Sequence, residues 1–215
     1  MRECDVIKNS LNKLLKMKKK ELSYLAEVKG KGWEKWLQME LGYELNKSQA
    51  ADVKFEVPYP YDKKKKITSG KKKNTNGFID LQYRRKNLKK DLFTAVEIKM
   101  SGSPTGIRAA LADLAKIKAF RSAHWDFRAI YSIVFIKKND SQRNTKYHRL
   151  IETLVKNGDV VKSEITKWPG FRVLIIGWEA PPNKSSNPDE FKKWVSSTLK
   201  LYKDLAPKLS SPRIN

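Results

Sequence analysis

Apolar positions along the chain fall at helical spacing first and at strand spacing later. Over residues 5–28, Val6, Leu11, Leu14, Leu15, Leu22 and Leu25 recur on one side of a helical repeat. This predicts an amphipathic helix, or two, with a lysine-rich outer face. Gly30 and Gly32 break it. A further helix is expected over 33–46, where Leu37, Leu41 and Leu45 form one stripe flanked by Trp33 and Trp36. Residues 53–57 read as a short strand stopped by Pro58 and Pro60. After a long polar connection, Gly77 opens a strand over 78–83, and a basic turn over 84–90 returns the chain into a strand over 92–100. A turn rich in Gly, Ser and Pro leads to a helix over 107–122, with Leu111, Leu114, Ile117 and Phe120 inward. Residues 129–136 and 171–178 are apolar runs of the kind a buried strand needs, and a helix is expected between them over 145–156. Pro181 and Pro182 begin a linker. The last helix starts near Pro188, with Asn187 as its cap and Asp189 and Glu190 in its first turn.

This order, an early hairpin followed by αβ alternation, predicts an α/β fold with a mixed sheet and helices on both faces. Residues 1–32 read as a helical extension, 33–180 as the core, and 181–215 as a linker and helix packed on that core. A hydrophobic fraction of 40% over 215 residues suffices for such a core. No apolar run reaches membrane-spanning length and no signal-like segment opens the chain, so a soluble, cytoplasmic protein without a membrane partner is expected. Cys4 is the single cysteine, which excludes a disulfide framework and a cysteine-based zinc site. His124 and His148 are too few for a histidine-rich metal centre.

Charge narrows the function. Lys and Arg number 46 against 23 acids, a net charge of +23. That excess attracts polyanions, chiefly nucleic acid. No helix-turn-helix, zinc-finger or RNA-binding-sheet pattern accompanies it.

The hairpin carries the candidate chemistry. By alternation, Phe93, Ala95, Glu97 and Lys99 share one face of their strand, so Glu97 and Lys99 project together from an otherwise apolar strand end. Asp80, between Ile79 and Leu81, also stands in apolar company on the partner strand. Ionised groups are costly to bury unless paired or coordinated. An ion pair across the hairpin is one explanation, and a divalent cation is the other. The spacing alone is cheap: acid-x-Lys also occurs at Glu27, Asp52, Asp62 and Glu190. Context singles out Glu97-Ile98-Lys99, because it ends a strand, an acid-bearing strand precedes it, and a turn and helix follow it.

The string Gly77-Phe78-Ile79-Asp80-Leu81, a hairpin, Val96-Glu97-Ile98-Lys99, then a helix and a strand resembles the PD-(D/E)XK nuclease superfamily, with Ile79 where the family name has proline. The resemblance covers the element order from about residue 33 to 178. It implies a restriction-endonuclease-like fold and a magnesium-dependent DNA endonuclease, with manganese as substitute. It implies that Asp80 and Glu97 hold the metal, that the Ile98 carbonyl adds a ligand, and that Lys99 orients or deprotonates the attacking water. Lys99 can act as a base only with a pKa depressed well below ~10.4; otherwise it stabilises charge. Relatives add an acid on the first core helix, where Glu34, Glu40 and Glu44 compete. Glu34 is favoured, because it lies on the leucine stripe and opens Glu34-Lys35-Trp36-Leu37-Gln38. Asp113 and Lys116 are secondary candidates on the following helix.

Lysines 63–66 (Lys63, Lys64, Lys65, Lys66) and 71–73 (Lys71, Lys72, Lys73) are expected to grip phosphates flanking the site, and are also what a solvated loop would carry. Arg84 and Arg85 with Lys86, Lys89 and Lys90 sit at the opposite end of the hairpin, as solvated turn or DNA clamp. The expected partner is double-stranded DNA and the expected assembly a homodimer, because cutting both strands needs two sites. The rivals are a non-catalytic nucleic-acid-binding protein on the same fold, and a basic RNA- or ribosome-binding protein that leaves Asp80 and Glu97 unexplained.

Overall fold

Three helices precede a six-stranded sheet: α1 (Glu3–Met17), α2 (Lys19–Glu27), α3 (Trp33–Ser48), β1 (Ala50–Pro60), β2 (Asn76–Arg85), β3 (Phe93–Ser101), β4 (Phe127–Lys137), β5 (Val161–Ile165) and β6 (Phe171–Glu179). The computed structural model describes residues 2–27, 32–48, 50–60, 76–86, 93–101, 109–110, 114, 127–137, 151–153, 155–156 and 161–179. The lysine runs at 63–66 and 71–73, Asp113, Lys116, both histidines and the helix expected from Pro188 lie outside them.

The sheet runs β1-β2-β3-β4-β6-β5. β3 and β4 are parallel; every other neighbouring pair is antiparallel. The fold is thus mixed α/β, as the element order predicts. On one face Leu81, Tyr83, Val96, Ile98, Tyr131, Ile133 and Phe135 pack against Leu37, Leu41 and Leu45 of α3 and Ile7, Leu11 and Leu14 of α1. On the other, Ile79, Ala95, Ile130, Val134 and Ile176 pack with Ala110, Leu114 and Ile151. Ala109, Ala110, Leu114 and residues 151–153 and 155–156 are helical, within the two helices expected after β3 and β4.

Two elements depart from the sequence reading. β1 runs through Pro58 and Pro60, which the reading takes as stops. It is an edge strand, where proline is tolerated. β5 is not expected from sequence. Its residues Val161-Lys162-Ser163-Glu164-Ile165 are half-exposed except for Ile165, and a short polar edge strand has little periodicity to detect.

α1 docks through a buried polar network. Glu3 is fully buried, and its Oε2 accepts the Tyr83 hydroxyl at 3.1 Å. Arg85 and Arg128 stand 3.4 and 3.7 Å from Glu3 Oε1. The Glu3 N–H donates to Glu179 Oε1 at 2.9 Å, and the Tyr131 hydroxyl donates to Glu179 Oε2 at 2.8 Å. Gly177, in register with Tyr131, lets that ring cross β6: a Cβ there would collide with the Ile130 carbonyl and the Tyr131 ring. Burial pushes the Glu3 carboxyl upward, opposed by the two guanidinium groups. Burial, with Asp5 and Glu179 nearby, pushes the Cys4 thiol up to about 11, so it is unreactive at neutral pH. Glu3→Ala would leave Arg128, itself only 9% exposed, without its counter-charge. Breaking a buried pair from one side costs roughly 3–5 kcal/mol. Urea unfolding of Glu3→Ala is expected to show a loss of about 3 kcal/mol. A loss below about 1 kcal/mol, the scale of an exposed pair, would mean that the network does not dock α1.

Candidate active site

β2 and β3 part company partway along their length. Their ladder consists of Tyr83–Thr94, Gln82–Ala95 and Leu81–Val96. Past that point β2 stays paired with β1 as far as Asn76–Pro60, and β3 with β4 as far as Ser101–Ile136. The sheet therefore splits between β2 and β3, and the residues at the apex of the split are Asp80 and Glu97.

The split has a local cause in β1. Phe55 and Val57 lie two residues apart, yet they pack in different core clusters, and so do their partners Leu81 and Ile79. In a regular strand both members of each pair would share a face. The intervening Glu56 has φ 48°, a left-handed conformation that is uncommon outside glycine. Its carboxylate accepts Lys35 Nζ of α3 at 2.6 Å. Backbone strain of this kind costs about 1–3 kcal/mol and concentrates at functional sites. Rotation of both strands at this level turns Asp80 out of either face and along the sheet. Its Oδ2 accepts the Ile98 N–H at 2.8 Å, a donor that the split takes from the β2–β3 ladder.

On β3 alternation is regular. Val96 and Ile98 belong to the α3 face, so Glu97 and Lys99 project to the other. Glu97 is 5% exposed, and its Oε2 lies 3.2 Å from Lys99 Nζ. The same face carries two further buried polar groups. Ser132 is in register with Glu97, and Gln82 lies one pair beyond the apex. Among the described residues, Ser132 Oγ and Gln82 Oε1 have no hydrogen-bond partner. Polar atoms buried in this way are rare and mark a site of use or strain. Neither residue stands out in the sequence, because each sits singly in an apolar strand.

The α3 acids divide. Trp33 packs its ring on Phe135 and Phe171, with centroids 5.4 Å away in both cases, and Phe135 is in register with Met100. The first turn of α3 therefore lies at the open end of the split, and Glu34 with it, half-buried. Glu40 instead pairs with Lys18 at 3.4 Å, and Glu44 is buried further along the helix. Among the described residues, no three His, Cys, Asp or Glu side chains form a group able to hold a metal. The structure thus pairs Glu97 with Lys99, sets the Asp80 carboxylate on the N–H of the intervening Ile98, and leaves Glu34 on the α3 side of the sheet. Two carboxylates and the Ile98 carbonyl are hard oxygen donors. They suit magnesium, which is commonly bound through one or two carboxylates while keeping several waters.

Arg84 is engaged structurally. Its Nε and one terminal nitrogen clamp Asp52 Oδ2 at 2.8 and 2.6 Å, across the bulge where Asp52 has φ 52°. Among the described residues, no helix is long and apolar enough to cross a membrane. Comparison with family models, curated proteins and solved structures yields no match for this chain.

Proposed function

We propose that the chain is a metal-dependent nuclease of the PD-(D/E)XK type, hydrolysing phosphodiester bonds in DNA at the split between β2 and β3. The observation that carries this reading is the split itself. It sets an edgewise carboxylate, Asp80, beside a buried carboxylate, Glu97, and adds a lysine ammonium 3.2 Å from the latter. The β1–β2 pairing ends at Pro60 and Asn76, the residues that flank the lysine-rich segment 61–75 in the sequence.

Asp80 and Glu97, with the Ile98 carbonyl, are the residues that would hold magnesium, and Glu34 is the further acid proposed to join them. The ion would supply polarisation of the phosphoryl oxygen and a lowered pKa for the attacking water. The chain's own groups do the rest. Lys99 places a positive charge where negative charge develops on the phosphate, and hydrogen-bonds the incoming water. The Asp80–Ile98 hydrogen bond fixes the carboxylate against the strand that carries Glu97. The lysines of 61–75 hold the flanking phosphates. Concerted cutting of both strands of a duplex needs two active sites, for which a two-fold dimer is the simplest arrangement.

One observation favours a second reading. The Glu97–Lys99 pair and the Asp80–Ile98 hydrogen bond also satisfy these groups without a metal. A nucleic-acid-binding protein that cuts nothing would suit that. Supercoiled plasmid incubated with the purified protein separates the two. Nicking is expected with magnesium or manganese and is expected to stop with chelator. Calcium should support binding without turnover, because its looser coordination positions water poorly. Retarded but intact plasmid under every metal would leave the binding reading in place.

A further inference from the structure

We propose that the pocket between α2 and α3, lined by Lys20, Glu21, Tyr24, Leu25 and Trp36, is a base-stacking subsite for single-stranded nucleic acid. This rests on the nucleic-acid reading above but not on its cleavage chemistry. The depression is open to solvent and measures about 420 Å³. Leu25 and Trp36 are half-buried and form its apolar surface, while Tyr24 is 67% exposed. A single exposed aromatic means nothing. Here the tyrosine lines a mostly apolar depression together with the cationic Lys20. From Lys13 to Lys20 the chain carries Lys13, Lys16, Lys18, Lys19 and Lys20 and no acid. Lys18 is paired with Glu40. Lys19 and Lys20, which open α2, are exposed and make no ion pair with any described residue. Glu21 is the one acid in the lining.

The combination selects the occupant. Aromatic faces accept any base, and ammonium groups accept the phosphates on either side of it. A duplex keeps its bases stacked internally and offers none to Tyr24. A second copy of this chain would bring the same lysines and a net charge of +23 against them, which opposes docking. Tyr43, also exposed, is a poorer platform because Lys47 Nζ covers its ring 4.2 Å from the centroid. The pocket lies on the helical side of the sheet. Trp36 is one helical turn past Trp33, which packs at the open end of the split sheet.

Fluorescence titration without metal tests this, using oligodeoxythymidylate and an abasic oligomer of equal length. The wild type is expected to bind the thymidylate roughly five- to tenfold more tightly than the abasic strand, the lower part of the range for one stacked base. Tyr24→Ala should remove that difference and leave abasic binding unchanged. Lys20→Glu should weaken both strands alike. Tyr24 is exposed, so its replacement should not disturb unfolding, which a melting curve checks on the same samples. Equal affinity of the wild type for both strands would overturn the proposal, as would unaltered base preference in Tyr24→Ala. A self-association abolished by Tyr24→Ala would overturn it too, by assigning the surface to a second copy. Plasmid nicking is scored separately: a chain that stacks bases but cuts nothing refutes only the nuclease reading, and one that nicks without base preference refutes only the subsite.

Discussion

Lys99→Ala is expected to lose magnesium-dependent nicking by roughly 10³-fold, the upper range for removing one preorganised charge from a reaction centre. Binding of duplex DNA should hardly change, because Lys99 is one of 46 basic residues and nucleic-acid affinity grows from the sum of phosphate contacts. The contrast separates chemistry from attraction. It also has to be separated from unfolding, since Lys99 is the counter-charge of a carboxylate that is only 5% exposed. A gel shift and a melting curve on the same samples do this. Lys99→Arg then distinguishes the two roles open to the lysine. A guanidinium keeps the charge but cannot give up its proton in a protein. Substantial nicking by Lys99→Arg would make Lys99 a charge stabiliser, and its loss with intact binding would favour proton transfer. Equal nicking by wild type and Lys99→Ala would reduce the Glu97–Lys99 pair to a structural ion pair.

That Lys99 and Glu97 share a face was legible in the sequence, because strand alternation fixes it and Val96 and Ile98 on the other face are unambiguous core residues. The long elements were legible for the same kind of reason. The leucine stripe of α3 and the apolar runs of β4 and β6 each repeat a pattern over many residues. The orientation of Asp80 was not. Alternation puts it opposite Ile79 and Leu81, yet its carboxylate reaches across to the Ile98 N–H, at the level where Glu56 on the neighbouring strand has a left-handed backbone. No pattern within β2 encodes that. Glu3 reads from sequence as an ordinary acid in the first turn of a helix. Its burial depends on Tyr83, Arg85 and Arg128, which the sheet brings to it from β2 and β4. The leucine stripe favours Glu34 over Glu40 and Glu44 in the sequence, and their tertiary contacts were not legible there. Lys18 takes Glu40, while the packing of Trp33 sets the first turn of α3, and Glu34, at the open end.

Asp80 offers the sharpest test, because two of its functions can be removed one at a time. Its carboxylate accepts the Ile98 N–H and is also a proposed magnesium ligand. Asparagine keeps an acceptor oxygen of the same reach but not the charge, whereas alanine removes both. Asp80→Asn is therefore expected to unfold close to the wild type in the absence of metal. Asp80→Ala should lose about 1–3 kcal/mol, the cost of leaving a part-buried N–H without its partner. Both should lose nicking by roughly 10²-fold or more, since a bound cation contributes several kcal/mol to the transition state and each 1.4 kcal/mol is about tenfold. The readout that does not depend on activity is thermal stability with and without magnesium. A ligand at a hundred times its Kd stabilises the folded state by about 2.7 kcal/mol. The wild type should gain such an increment and neither variant should. Asp80→Asn could instead nick plasmid and respond to magnesium as the wild type does, while Asp80→Ala is merely less stable. Asp80 would then be the hydrogen-bonding partner of a split sheet and nothing more, and the protein a binder of nucleic acid without a metal centre at that position.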